Sequence, residues 1–152
     1  MDQYRRRPEE LLRNLYRVDY LGSQTTRTDE ELKAADTTTF YGNSESEQVF
    51  FRQAVKDHFT WDYRGRSPFV SLFSDQSHAA NWGRREPWRG SKPHTGQWSL
   101  YTIDTSLLNE IYVFKVSRLV DALRVRIPEG AEQHKQGGYI CLHMVITDSR
   151  NY

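Results

Sequence analysis

A mixed α+β domain is what this sequence predicts, on three observations. Residues 15–20 and 98–103 alternate with the period of half-buried strands, whereas one stretch, about 45 to 58, has helical spacing. Aromatic content of 13%, with four Trp, nine Tyr and seven Phe, supplies large buried areas although apolar residues make up only 37%. At 152 residues the default is one domain, 1–152 with a core at about 12–146, burying about two-thirds of the extended chain's surface.

Pro8 followed by Glu9 and Glu10 suits a helix start, because Pro fits the first helical position and carboxylates suit the positive end of the dipole. A short helix to about Asn14 is expected. Leu15, Arg17 and Asp19 then alternate with Tyr16, Val18 and Tyr20, a strand that stops at Gly22. Residues 23–43, rich in Thr, Ser, Asp and Gly, predict a long irregular connection with one helical turn around 29–35. Ser44 and Glu47 form a capping box, and Val49, Phe50, Ala54, Val55, His58 and Phe59 follow at helical spacing.

The turn-forming YRGRSP leads to a strand at 68–73, after which Ser74 or Asp75 caps a helix carrying Ala79, Ala80 and Trp82. Residues 83–97 have the Gly, Pro and basic composition of an exposed loop. Strands are expected at 98–103 and 111–116, a short helix capped by Ser117, and a brief strand at 125–127. A polar loop, PEGAEQHKQGG, then enters the apolar run 139–146, whose pattern is that of a central strand.

Formal charge is +1, so no global field draws the chain to nucleic acid or anionic membrane. The single cysteine, Cys141, excludes an intramolecular disulfide and fits a reducing, intracellular and cytoplasmic compartment. No signal-peptide core follows the three arginines at 5–7, and no apolar stretch approaches the ~18 residues of a membrane span.

The order of LYRVD, a helix, PFVSLFSD leading into HAANW, and then TIDTSLL and VFKVSRLVDAL resembles the ADP-ribosyltransferase fold of the cholera-toxin-like, Arg-Ser-Glu type. It is similar also to uncharacterised intracellular domains of filamentous fungi. The resemblance implies a split β-sandwich of two small sheets with flanking short helices, NAD as substrate, and transfer of ADP-ribose to a macromolecular acceptor or NAD hydrolysis. It also implies that Arg17 contacts the phosphates and ribose of NAD, Ser71 shapes the nicotinamide-ribose cleft and Trp82 supports the serine-motif helix.

These roles suit the residue types. A guanidinium presents a fixed fork of donors to phosphate oxygens, and a buried hydroxyl both donates and accepts. Phe73 stands where the family's last motif Ser is expected, and Ser74, one residue later, is assigned to capping.

Cleaving the glycosidic bond builds positive charge on the ribose, which a carboxylate stabilises. The family places a glutamate at the start of a late central strand, where this chain has Gly137-Gly138. Glu132 is the candidate acid if the 129–138 loop folds back. Two readings therefore stand: an NAD-dependent transferase using Glu132, or a catalytically inactive module of the same fold acting in protein or nucleic-acid interaction.

Without the resemblance, Arg17 reads as a strand residue paired with Asp19 or Asp104 or snorkelling to solvent, and Ser71 as a core hydroxyl bonded to backbone. The five histidines show no ligand spacing with Cys141, so no metal is expected. Ser71 lacks the glycine-flanked elbow of one hydrolase class, and neither a GxGxxG nor a Walker loop is present. The basic loop from Arg84 to His94, with Trp88 inside it, is the one local footprint suited to single-stranded nucleic acid.

Overall fold

The computed structural model describes residues 1–61, 63–88, 97–108 and 110–146; the side chains at 130, 132–134 and 144–146 lie outside the described set. Its elements run β1 (Asn14–Tyr20), β2 (Thr26–Arg27), β3 (Glu31–Lys33), α1 (Glu45–His58), β4 (Phe69–Phe73), α2 (Gln76–Arg85), β5 (Trp98–Asp104), β6 (Val113–Lys115), α3 (Val116–Leu123), α4 (Glu132–Gly137), β7 (Gly138–Leu142) and β8 (Met144–Ile146). The class is α+β, with a five-stranded sheet in the order β5-β1-β4-β7-β6 and a three-stranded sheet in the order β2-β3-β8. Every strand pairing is antiparallel.

Alternation along β4 and β7 sends side chains to both faces of the large sheet, and both faces are covered. On one, Phe69, Ile140 and Leu142 meet Phe51 and Val55 of α1 and Leu119 and Val120 of α3. On the other, Leu15, Val70, Leu72 and Cys141 meet Leu32 and Ala34 from the small sheet's side. Strand β7 is buried along its whole length between β4 and β6, as its apolar run predicts.

Chain crossing between the sheets falls at His143, which adopts a left-handed φ of 67° between β7 and β8. Its backbone N–H donates to the Pro68 carbonyl at 2.8 Å, and its carbonyl accepts from Ala34 N–H at 2.7 Å. The predicted single strand 139–146 is thus two strands, one per sheet.

Several local expectations are overturned by tertiary bonds. The helix expected from Pro8 to Asn14 is a 3-10 turn, Pro8–Glu10. The carbonyls of Leu12 and Arg13 are taken instead by the Thr105 hydroxyl and, for Arg13, by the Thr105 amide. The helical turn expected around 29–35 is strand β3, with Leu32 buried between partly exposed Glu31 and Lys33 and its partner β8 over a hundred residues away.

In α1 the capping box forms as predicted, but Val49 and Phe50 are exposed and Phe51 is the buried residue of that turn. Asp75, not Ser74, caps α2, accepting from His78 N–H at 2.6 Å; Ser74 N–H donates to the Gly137 carbonyl. Helix α2 runs on through Arg85, so the expected loop from 83 starts later, and its residues 89–96 lie outside those described. Lys115, without a side-chain cap bond, replaces Ser117 as the N-cap of α3, and residues 125–127 are not a strand.

Candidate functional site

Strands β1 and β4 pair at Tyr16 opposite Phe73, and the site lies where this ladder ends. One residue further, Arg17 extends its guanidinium across the gap. Its Nη1 donates to the Ser71 carbonyl at 3.2 Å, a backbone oxygen that a continuing ladder would claim, and its Nη2 donates to Thr25 Oγ1 at 3.3 Å. The side chain therefore holds apart and bridges two strands and the loop after β1.

Only 7% of Arg17 is exposed. Its nearest described carboxylate oxygen is Asp19 Oδ1, at 4.0 Å, and that oxygen already accepts from Ser23 Oγ at 2.8 Å and Thr25 Oγ1 at 2.9 Å. Burial pulls the guanidinium below its ordinary range, opposed by Tyr20 and Asp19. Burial pushes the Tyr20 phenol up, with Arg17 opposing. Arg17 Nε is buried with no hydrogen-bond partner among the described residues. A buried, charged fork with a donor to spare is suited to an anion.

Ser71 points from β4 to the face that α1 covers, where His58 ends the helix. The imidazole joins two hydroxyls: Nε2 lies 2.7 Å from Ser71 Oγ, and Nδ1 lies 2.7 Å from Ser67 Oγ. Ser67 Oγ also accepts from Phe69 N–H at 3.2 Å, which ties this chain of polar groups to the start of β4. A neutral imidazole donates through one nitrogen and accepts through the other, so this bridge fixes the Ser71 rotamer and offers a proton acceptor or donor beside it.

These groups open onto a cavity of about 170 Å³, lined among others by Arg17, Thr25, His58, Trp61, Ser71 and Trp82. Trp82 packs on Phe73 at a centroid distance of 5.5 Å and on Trp88 at 5.0 Å, and Trp88 stacks on Tyr20 at 4.1 Å. It therefore braces the end of the serine strand and also forms part of the cavity wall. The volume is below the ~300 Å³ of pockets that enclose a whole drug-sized ligand, so it has room for no more than one moiety of such a molecule.

Arg17 and Ser71 thus line one cavity, and of the carboxylates Asp19 and Asp104 it is Asp19 that lies beside Arg17. Asp104 instead accepts from Ser106 N–H at 2.9 Å. Glu132 opens α4, a helix where a polar loop was expected, packed on α3 and β7. Lys135 pairs with Asp121 of α3 at 3.3 Å, an exposed contact between the two helices. The neighbouring Ala131 lines the cavity; the side chain of Glu132 itself lies outside the described residues.

Gly138 begins β7 opposite Phe73, and a Cβ on Gly137 would stand 3.1 Å from Ser74 Oγ. The strand start where a glutamate was sought is therefore occupied by glycines packed against β4. Asp57 is the carboxylate among the described lining residues.

His58, Ser67 and Thr25 were not singled out in the sequence as site residues. His58 carried a readable signal, a polar side chain at an apolar position of the α1 pattern. Thr25 carried none, since its role depends on how the loop returns to β1.

An α+β domain with a buried arginine, its Nε unpaired among the described residues, at the parting of two central strands is the class that fold and site define. The chain belongs to the DUF7587 family, a domain of unknown function, whose model matches residues 10–149. No curated protein matches the chain, and no solved structure does.

Proposed function

We propose that this chain is an ADP-ribosyltransferase-like domain, a split β-sandwich whose cleft takes NAD. The observation that carries this reading is the buried Arg17 fork, with Nε unpaired among the described residues, beside a Ser71 fixed by His58. Support comes also from the two antiparallel sheets packed through a common core and from the divergence of β1 from β4 at the cavity.

In this reading Arg17 holds the pyrophosphate, and the Ser71–His58 pair orients the nicotinamide-ribose end in the 170 Å³ cavity. Glu132, at the edge marked by Ala131, supplies the carboxylate. NAD brings an activated glycosidic bond: the bond from ribose to nicotinamide breaks, and one to a macromolecular acceptor or to water forms. His58 is placed to hold or pass a proton at Ser71 Oγ.

A second reading, a non-catalytic interaction module on the same scaffold, is favoured by Gly137-Gly138 at the start of β7. Release of free nicotinamide from NAD separates the two. The transferase reading expects release by the native chain and its loss in Glu132→Gln with NAD binding retained. Binding without release supports the module, and release that survives Glu132→Gln removes Glu132 from its role.

A further inference from the structure

A second cavity, of about 340 Å³, lies on the other side of Asp57, Tyr63 and Ser67. Four aromatic residues line it: Phe40, Tyr41, Phe50 and Tyr63. Phe40 and Phe50 are 67% and 66% exposed, large apolar surfaces that contribute little to the core. Three carboxylates, Asp36, Glu47 and Asp57, line the same cavity against one guanidinium, Arg66, whose Nε and Nη2 both donate to the Ala35 carbonyl. We propose that this cavity binds a methylated or quaternary ammonium group.

Ring faces and a net negative wall both attract an organic cation. The state of the carboxylates selects which cation. Asp36 accepts from Thr38 N–H at 2.8 Å, Thr38 Oγ1 at 3.0 Å and Thr39 N–H at 3.2 Å. Glu47 accepts from the Ser44 hydroxyl at 2.6 Å, and Asp57 from Gln53 Nε2 at 2.7 Å.

Committed to their own chain, these groups offer field more than free acceptors. A bare ammonium brings three donors that need partners, whereas a methylated one brings methyl groups that lie on ring faces. Burial first, and then Asp36, Tyr63 and Asp57, push the Tyr41 phenol up to about 12, so the carboxylates add to an effect that burial leads. This site shares Asp57, Tyr63 and Ser67 with the first cavity but uses neither Arg17 nor Ser71.

The test is titration of choline, trimethyllysine amide and dimethylbutanol, the neutral carbon isostere of choline, into the full chain, followed through amide NMR shifts at Thr39 and Gln53. Both cations are expected to saturate those shifts and to bind at least ~10-fold tighter than the isostere. The tighter of the two tells whether a free small molecule or a methylated side chain is the source. Phe40→Leu/Phe50→Leu, which keeps apolar surface and removes ring faces, is expected to weaken both cations about tenfold with an unchanged amide spectrum elsewhere. Equal binding of the isostere, undiminished binding by the variant, or no saturation by either cation would overturn the proposal.

Discussion

In the Arg17 cavity, Arg17 and Ser67 are each less than a tenth exposed and hydrogen-bonded across different elements, whereas in the second cavity Phe40 and Phe50 are two-thirds exposed on a loop and a helix surface. The polar groups of the first are also the bonds that join β1, β4, α1 and the loop after β1. In the second, Tyr41 packs on Phe51 of the core, whereas Phe40 and Phe50 keep most of their surface in solvent. A change to the polar groups of the first cavity therefore perturbs the fold, whereas one to Phe40 or Phe50 leaves most of it intact.

The largest effect is expected from Arg17→Ala. It leaves the Ser71 carbonyl and the Asp19–Thr25 pair without their cation, a loss of about 2–4 kcal/mol by analogy with other buried charged hydrogen bonds. Thermal unfolding should fall by roughly 5–15 °C. An unchanged midpoint would mean that the guanidinium does not hold the strands.

Next is His58→Ala, which strips a partner from Ser67 and Ser71 and should cost about 1–2 kcal/mol in a denaturant titration. The double change with Ser71→Ala should cost less than the sum of the two single changes, because they share the His58–Ser71 bond; strict additivity would contradict the bridge.

Asp36 gives a smaller effect confined to acid. Burial raises its carboxyl, but hydrogen bonds from Thr39 and Thr38 outweigh it and hold the value down to about 2, below the ordinary 3.8. Because the folded value is the lower one, the carboxylate's contribution is fully present above pH 3.8 and is lost as pH falls through about 2. The stability gap between the native chain and Asp36→Asn should therefore close over that window; a gap independent of pH would contradict this.

Smallest of all is Phe50→Ser, expected to change stability by no more than about 0.5 kcal/mol because the ring is exposed. A loss above about 1 kcal/mol would break the contrast between the cavities.

The same contrast decides what could be read from the chain. Arg17 and Ser71 interrupt strand patterns with polar side chains, and the α1 capping box fixes the helix that ends at His58, so the first cavity's strand and helix residues were legible. Strand β3 was not, because Leu32 is buried by a partner, β8, that local sequence does not announce. Helix α4 reads as a polar loop, because Pro128-Glu129 opens only the 3-10 turn Glu129–Ala131 ahead of it and the helix packs on α3 and β7, which local sequence does not announce. Phe40, Phe50 and Tyr63 meet only because a loop, a helix and a turn converge, which no periodicity encodes.

The central claim is that Arg17 serves a bound anion as well as the fold, and calorimetric titration of NAD into the native chain and Arg17→Lys tests it most directly. Lysine keeps the charge and loses the fork, so the account predicts saturable binding by the native chain, weakened at least about tenfold in the variant. Equal affinity in a folded Arg17→Lys, or no saturable binding by the native chain at millimolar NAD, would contradict it.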